Sequence, residues 1–497
     1  DLMIGKGITL QIEPGTAVYF GPNVRVSMGR NARILAEGTR EKPIVFCGVP
    51  GGQRWRYILL NHVGVTDAVG NPENRFSYVH VKDNTSYFLY ALYGSFYLDH
   101  LTFGTVGVTY LNMEGCSLMV SHCRFPGSDR PVQLVRAVKG TLQNGRAVFY
   151  RNYFGNPSGA NDPADITDGP WELSPKYQLI ENVFMGGGDD LLDLDGVQGW
   201  IEGNILMHAH KDKANTSLGG ASAISGGRDE SGTGSTANHY IVGNLFYDVD
   251  HAVKAKDGNF HVIAHNTVVR VTPEGGIDTD CGMLGCGDIG YPESLGHYLR
   301  DNIFYDIQKL LREHKASVLT FEGNLMQEPW GPELVAQYPW ARGGNNSASD
   351  PGFIYVPELE ETLHFQTWDQ AQIMKEWFSL REDSPARGTG VNGRDKGFTV
   401  QRGVSISGEP EEMRTDDKIT LTIGASYNDF GVEVPKFPQG AGYLAYCYRI
   451  NHNGEFGQWS PEYPITEPLT LSLAEEGTYF LEVSGKKHIG IWDHDPR

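Results

Sequence analysis

A short pattern recurs along this chain: often Gly, Glu, Asp or His, then Asn, then an apolar residue, then Phe, Leu or Val. Its second position falls at Val79, Leu101, Cys123, Asn152, Asn182, Asn204, Asn244, Asn266, Asn302 and Asn324, at intervals of 22, 22, 29, 30, 22, 40, 22, 36 and 22. Five of the nine intervals equal 22, and the longer ones read as the same unit carrying an inserted loop. Between these signatures apolar residues alternate as in strands, and helical periodicity is absent. A 22-residue unit of short strands is too small to close a core alone. It must bury its inner face against its neighbours, so each repeat is expected to be one coil of a β-solenoid. The asparagines would then stack as an internal ladder at a turn, which is a structural role.

The stretch 7–47 reads as short alternating strands with Gly, Pro and Asn turns. The long intervals place insertions at 127–150, 155–180, 212–239 and 270–300. Loops that interrupt a regular scaffold are where binding residues are usually carried. The segment Thr216–Ala237 is rich in Gly and Ser and is expected to be a mobile loop. The stretch 366–380 has helix-compatible spacing and is expected to cap or flank the solenoid. The character changes at Ser384-Pro385-Ala386-Arg387-Gly388-Thr389-Gly390, and after Gly397 alternating strands return without the period. They are expected at Lys418–Ile423, Tyr443–Ile450 and Thr478–Val483, with Trp459, Tyr479 and Trp492 as aromatic core. The expected organisation is all-β: a parallel β-helix domain over 1–397, about 22 residues per coil, then a small β-sandwich over 398–497. The sandwich would attach to carbohydrate or to a cell surface, or cover the solenoid end.

Charge narrows the partners. Lys+Arg 41 against Asp+Glu 61 gives a net charge of -20, which argues against nucleic acid. An acidic substrate would need local Lys/Arg or a bound cation. No apolar run approaches the ~20 residues of a membrane span. The chain starts at Asp1 within a strand pattern and is read as a mature or trimmed form. Its six cysteines lack zinc spacing. Cys281 and Cys286 could close a small loop in an oxidising compartment, or be buried thiols. Oligomeric state is left open.

Chemistry concentrates in Gly186–Gly196, which holds Asp189, Asp190, Asp193 and Asp195. Strand alternation sends Leu192 and Leu194 to a core and Asp193 and Asp195 outward. Carboxylates this dense repel unless a cation sits among them, and hard oxygen ligands suit calcium. Seven residues after the ladder positions 182, 204 and 244 come Asp189, Lys211 and His251, which would stack at one corner. Asp190, His210 and Asp250 lie beside them. Lys254 and Lys256 lie on an outward strand face and could depress each other's pKa. His208 and His210 read either as turn histidines or as acid/base or substrate contacts. Trp171 could stack on a sugar ring or pack under its loop.

The Glu13-Pro14-Gly15-Thr16 turn, the run from Ala36-Glu37-Gly38-Thr39 to Pro43-Ile44, the Asn ladder and the 384–390 segment resemble secreted bacterial right-handed parallel β-helix proteins. The resemblance covers 1–397 and implies a secreted or cell-surface location. Within that fold, Asp189-Asp190-Leu191-Leu192-Asp193 resembles the calcium cluster of polysaccharide lyase family nine. This implies calcium ligands Asp165, Asp189, Asp190 and Asp193, and a lysine base, Lys254 or Lys256, whose spacing departs from the family's. The order Ile166-Thr167-Asp168, Asp189-Asp190, His208 or His210, Lys254-Ala255-Lys256 is also similar to polygalacturonase-type hydrolases, although Gly-His-Gly is missing and Lys replaces Arg. The leading expectation is a calcium-dependent lyase acting on a uronate-containing polysaccharide. Catalytic candidates are Lys254, Lys256, His208, His210, Lys211 and His251, and substrate contacts Trp171, Asp168 and Asp195. The alternatives are an inverting hydrolase using Asp168, Asp189 and Asp190, and a non-catalytic surface solenoid with structural calcium.

Overall fold

The computed structural model describes residues 1–168, 177–216, 220–228, 237–272, 282–287, 294–311, 316–327, 341–390, 393–399, 404, 406–408, 418–424, 443–452, 454–473, 475–487, 490 and 492–493. Trp171, Cys281 and, within the Gly/Ser-rich 216–237, residues 217–219 and 229–236 lie outside them, while Ser222–Gly226 is a buried strand and not part of a mobile loop. The described residues fall into two compact units, one ending at 399 and one formed from 404 onward.

In the first unit every strand pair of the two large sheets is parallel, an arrangement compatible with a β-helix-like solenoid. One sheet has eleven strands, from Leu2–Ile4 through Ala164–Ile166, Leu192–Asp193, Ser222–Gly226 and His251–Ala255 to Leu284–Cys286. The second sheet receives two consecutive strands from most repeats, such as Gly199–Glu202 and Ile205–Ala209. Its registers reproduce the sequence intervals. Ser95 pairs with Ser117, Leu118 with Ala147, Ala147 with Tyr177, Tyr177 with Gly199, Trp200 with Tyr240 and His239 with His261.

The turn between the two strands explains the repeated signature. The residue before each ladder asparagine has positive φ: 53° at Arg151, 55° at Glu181, 54° at His265 and 52° at Asp301, with glycine at 203, 243 and 323. That region favours Gly, Asn, Asp and His. The next residue turns its amide inward. Asn152 donates from Nδ2 to Asn182 Oδ1 at 2.9 Å, Asn182 to Asn204 at 3.0 Å, Asn204 to Asn244 at 2.9 Å and Asn244 to Asn266 at 2.9 Å. The chain continues through Asn302 and Asn324 to Asn346. The fourth position of the signature fills the interior. Phe125, Phe154 and Phe184 stack at 5.0 and 4.6 Å.

The third position faces outward, yet from Tyr153 onward it is buried. Tyr153, Val183, Ile205, Leu245, Ile303 and Leu325 pack against Ala371, Met374 and Phe378 in a second core. The covering segment carries the short helices Leu359–Thr362, Trp368–Ala371 and Ile373–Trp377. Tyr153 donates to the Phe365 carbonyl at 2.9 Å and Trp368 Nε1 to that of Glu181 at 2.6 Å. The 366–380 segment therefore lies along the flank of the repeats.

In the second unit, antiparallel sheets of three and four strands include Lys418–Ile423, Tyr443–His452 and Tyr479–Lys487. The core is Leu421, Ile423, Tyr446, Ile465, Leu469 and Leu471. Trp459, Tyr479 and Trp492 are only half-buried, which corrects the aromatic core expected there. Their rings instead pack with Arg449, His452 and Lys486. Cys286 is a free thiol in a fully buried position, and burial pushes it up to about 12. Among the described residues no helix is long and apolar enough to cross a membrane.

Candidate functional site

The eleven-stranded sheet sets the site. Arg136 pairs with Asp165, Asp165 with Asp193, Asp193 with Ser225 and Ser225 with Lys254. Leu192, Ile224 and Val253 in the alternate register belong to the core, so this column points outward. Neighbours in it are ~4.8 Å apart along the hydrogen-bonding direction. Two residues on lies a parallel column of Asp195, Gly227 and Lys256, in which Lys256 Nζ lies 3.3 Å from Asp195 Oδ2. On the other side, Asp190 donates its backbone N–H to Asp162 Oδ1 at 3.0 Å. Asp165 accepts a hydrogen bond from Gln133 Nε2 at 2.8 Å and has the Arg136 guanidinium nitrogen Nε at 3.4 Å.

The acids outnumber their cations. Asp162, Asp165, Asp189, Asp190, Asp193 and Asp195 face Arg136, Lys254 and Lys256. Burial first, and then mutual repulsion, raise Asp162 and Asp193 well above the usual carboxylate range. Burial and Asp190 bring Asp189 to about 6, against the pull of Lys254. Burial raises Asp195 too, with Lys256 opposing. For Lys256 burial acts downward, but Asp195, Asp193 and Asp190 more than offset it and hold the ammonium above its usual range. Lys256 is therefore raised, not depressed as expected. Lys254 is buried and donates to the Gly220 carbonyl at 2.8 Å.

The donor set fits a hard cation in chemistry. Oδ1 of Asp190, Asp193 and Asp195 is buried with no hydrogen-bond partner, and each is a carboxyl oxygen of the kind a hard cation takes. In spacing it is not a closed cage. Among the described residues, Asp165, Asp189, Asp190 and Asp193 do not supply three ligand atoms within 4.8 Å of one another.

The other candidates fall as follows. Asp168, at φ 61°, donates its backbone N–H to the Asp195 carbonyl at 2.9 Å and so borders the patch. Asp165 lies opposite Asp193. Lys211 is half-buried, with its backbone N–H on Asp250 Oδ2 at 2.9 Å. His251 is fully buried, pairs with Ser222 and meets the Gly282 carbonyl through Nδ1. His208 and His210 belong to a separate buried network. His208 Nδ1 and His210 Nε2 meet Asp248 Oδ2 at 2.8 and 2.9 Å, and His210 Nδ1 meets Asp250 Oδ1 at 2.8 Å. Burial acts downward on His210, but the two carboxylates bring it up to about 10. His208 Nε2 faces the Thr362 hydroxyl at 3.2 Å. His208 thus ties the covering segment to the repeats.

Three participants were missed: Asp162, Gln133 and Asn215, whose side chain bonds Asp189 and the Gly188 carbonyl. Asp162 had a signal. It precedes Asp190 by 28 residues, the same interval that separates Asp165 from Asp193. No protein-family model matches the chain, and no curated protein or solved structure does either.

Proposed function

We propose that the acidic patch is the active site of a secreted polysaccharide lyase that cleaves a uronate-containing glycan by β-elimination with calcium, on a right-handed parallel β-helix with an appended β-sandwich. The observation that supports this is the surplus of buried carboxylates with unpartnered oxygens beside two lysines. Asp165, Asp189, Asp190 and Asp193 would hold the ion, which when bound neutralises the substrate carboxylate and acidifies the C5 proton. Lys256, kept charged by Asp195, orients the uronate. Lys254, released from the Gly220 carbonyl, is the remaining base candidate. It takes the C5 proton, the bond from C4 to the glycosidic oxygen breaks, a C4–C5 double bond forms, and water protonates the leaving oxygen. Asp168 and Asp195 border the sugar position.

One observation favours a second reading. A carboxyl at about 6, Asp189, beside other acids is what inverting hydrolysis needs for its general acid. The test is a panel of acidic polysaccharides assayed with calcium and with chelator. Ultraviolet-absorbing unsaturated ends that disappear with chelator support the lyase. Reducing ends without absorbance support the hydrolase. No turnover, with a melting temperature that still depends on calcium, overturns both and leaves a structural ion.

A further inference from the structure

Away from the acidic patch, Asp99, His100 and His122 converge at the turn that precedes the ladder position in the second sheet. Ser95–Phe103 and Ser117–Ser121 pair in parallel with Asp99 opposite Ser121, so the next residues, His100 and His122, sit one repeat apart. Both have left-handed backbone, φ 53° and 51°, which breaks strand alternation and brings their rings alongside Asp99. Asp99 Oδ2 lies 2.7 Å from His100 Nδ1, and Oδ1 lies 3.1 Å from His122 Nδ1. The Ser121 hydroxyl donates to Oδ1 at 2.7 Å and fixes the carboxylate. The rings are braced as well. They stack on each other at 4.7 Å, Tyr78 stacks on His100 at 4.3 Å, and Tyr150 packs edge-on to His122 at 5.5 Å. One ligand atom from each of the three residues lies within 4.8 Å of the other two. Both histidine side chains remain over a third exposed, at 38% and 36%, so an ion and solvent can reach them.

We propose that Asp99, His100 and His122 form a binding site for a divalent transition metal of the zinc class, with solvent completing the coordination. Two imidazoles and one carboxylate are the donor set such ions select, whereas calcium prefers oxygen alone. Bonds of about 2.0–2.2 Å in a tetrahedron hold ligand atoms about 3.3 Å apart, so the Nδ1–Oδ separations need only a small expansion. The ion would displace the protons now shared between the rings and Asp99. Ser121 would keep the carboxylate aimed, as outer-shell partners do.

The test is calorimetric titration of the full chain with Zn2+ in millimolar calcium, which keeps the acidic patch out of the measurement. One Zn2+ per chain is expected, with affinity reduced at least tenfold in His100→Asn and in His122→Asn. Asparagine tolerates the left-handed backbone, so these variants remove the imidazole and keep the turn. Zn2+ should also protect His100 and His122 of the unaltered chain from diethylpyrocarbonate, read by peptide mass spectrometry. No Zn2+ uptake, equal affinity in the double variant, or unchanged modification of both histidines overturns the proposal.

Discussion

Lys256 Nζ lies 3.3 Å from Asp195 Oδ2 although the two residues are two repeats apart, and the residue between them is Gly227. A Cβ at Gly227 would come within 2.7 Å of Asp195 Oδ1 and 2.9 Å of Lys256 Cε. The pair forms because that place is empty. Gly227→Ala is expected to push the lysine off the carboxylate and leave both largely buried charges poorly paired, at a cost of about 3 kcal/mol. Urea unfolding of the variant beside wild type measures it. An unchanged midpoint would mean that Lys256 has another buried partner within reach.

The asparagine ladder should be stiffer in its middle than at its end. Asn204 Oδ1 accepts from Asn182 N and Nδ2, and its Nδ2 donates to Leu179 O and Asn244 Oδ1. Asn204→Ala would orphan several fully buried groups and cost about 3–5 kcal/mol at about 1–3 each with partial relaxation. Asn346, half-buried at the ladder's end, has fewer dependants. Asn346→Ala should shift the melting temperature by less than half as much. Equal shifts would count against cooperative stacking.

The same ladder explains what could be read in the sequence. Its asparagines are identical, buried from Asn152 to Asn324 and bonded one to the next, so the sequence intervals between them are the strand registers of the second sheet. The site lies on the other sheet, and the inserted residues fall between the two. From the ladder residue to the outward column is 11 residues for Asn182 to Asp193, 21 for Asn204 to Ser225 and 10 for Asn244 to Lys254. Counting seven from each asparagine therefore brought His251 and Lys211 to Asp189, while the sheet pairs His251 with Ser222. The alternation within Gly186–Gly196 needed no such count, and Leu192 and Leu194 are fully buried. The burial of Asp162 and the covering of the outer strand face by 357–380 depend on packing that no local pattern records.

Stability should depend on pH in two opposed ways. Asp193 is held well above the ~3.9 of a free aspartate, so its ionisation penalises the fold progressively as pH rises past that value. His239 and His297, buried and neutral, are held at about 3 and about 4. The unfolded chain takes up their protons first, and stability falls as pH drops below ~6.5. Without divalent cations, Asp193→Asn is expected to be more stable than wild type at pH 8 and no more stable at pH 4. Calcium should narrow the gap at pH 8. Thermal melts at both pH values, with chelator and with calcium, check this. A variant less stable at pH 8 in chelator would show that Asp193 is paired rather than repelled.

His210 offers a way to separate holding from catalysis. It bridges Asp248 and Asp250 and is raised to about 10, so it stays charged across the neutral range. Its contribution to stability is complete below the ~6.5 of a free imidazole and is lost as pH climbs to about 10. His210→Gln leaves two buried carboxylates short of one cation, at about 3–5 kcal/mol. The difference in urea midpoint between wild type and variant should therefore be large at pH 6 and small at pH 10. A difference independent of pH would assign the effect to packing. Because the bridge faces Asp248 and Asp250 and not the acids of the eleven-stranded sheet, a variant kept folded at low temperature should retain its turnover on any substrate the protein cleaves. Loss of turnover without loss of fold would place His210 in the chemistry instead.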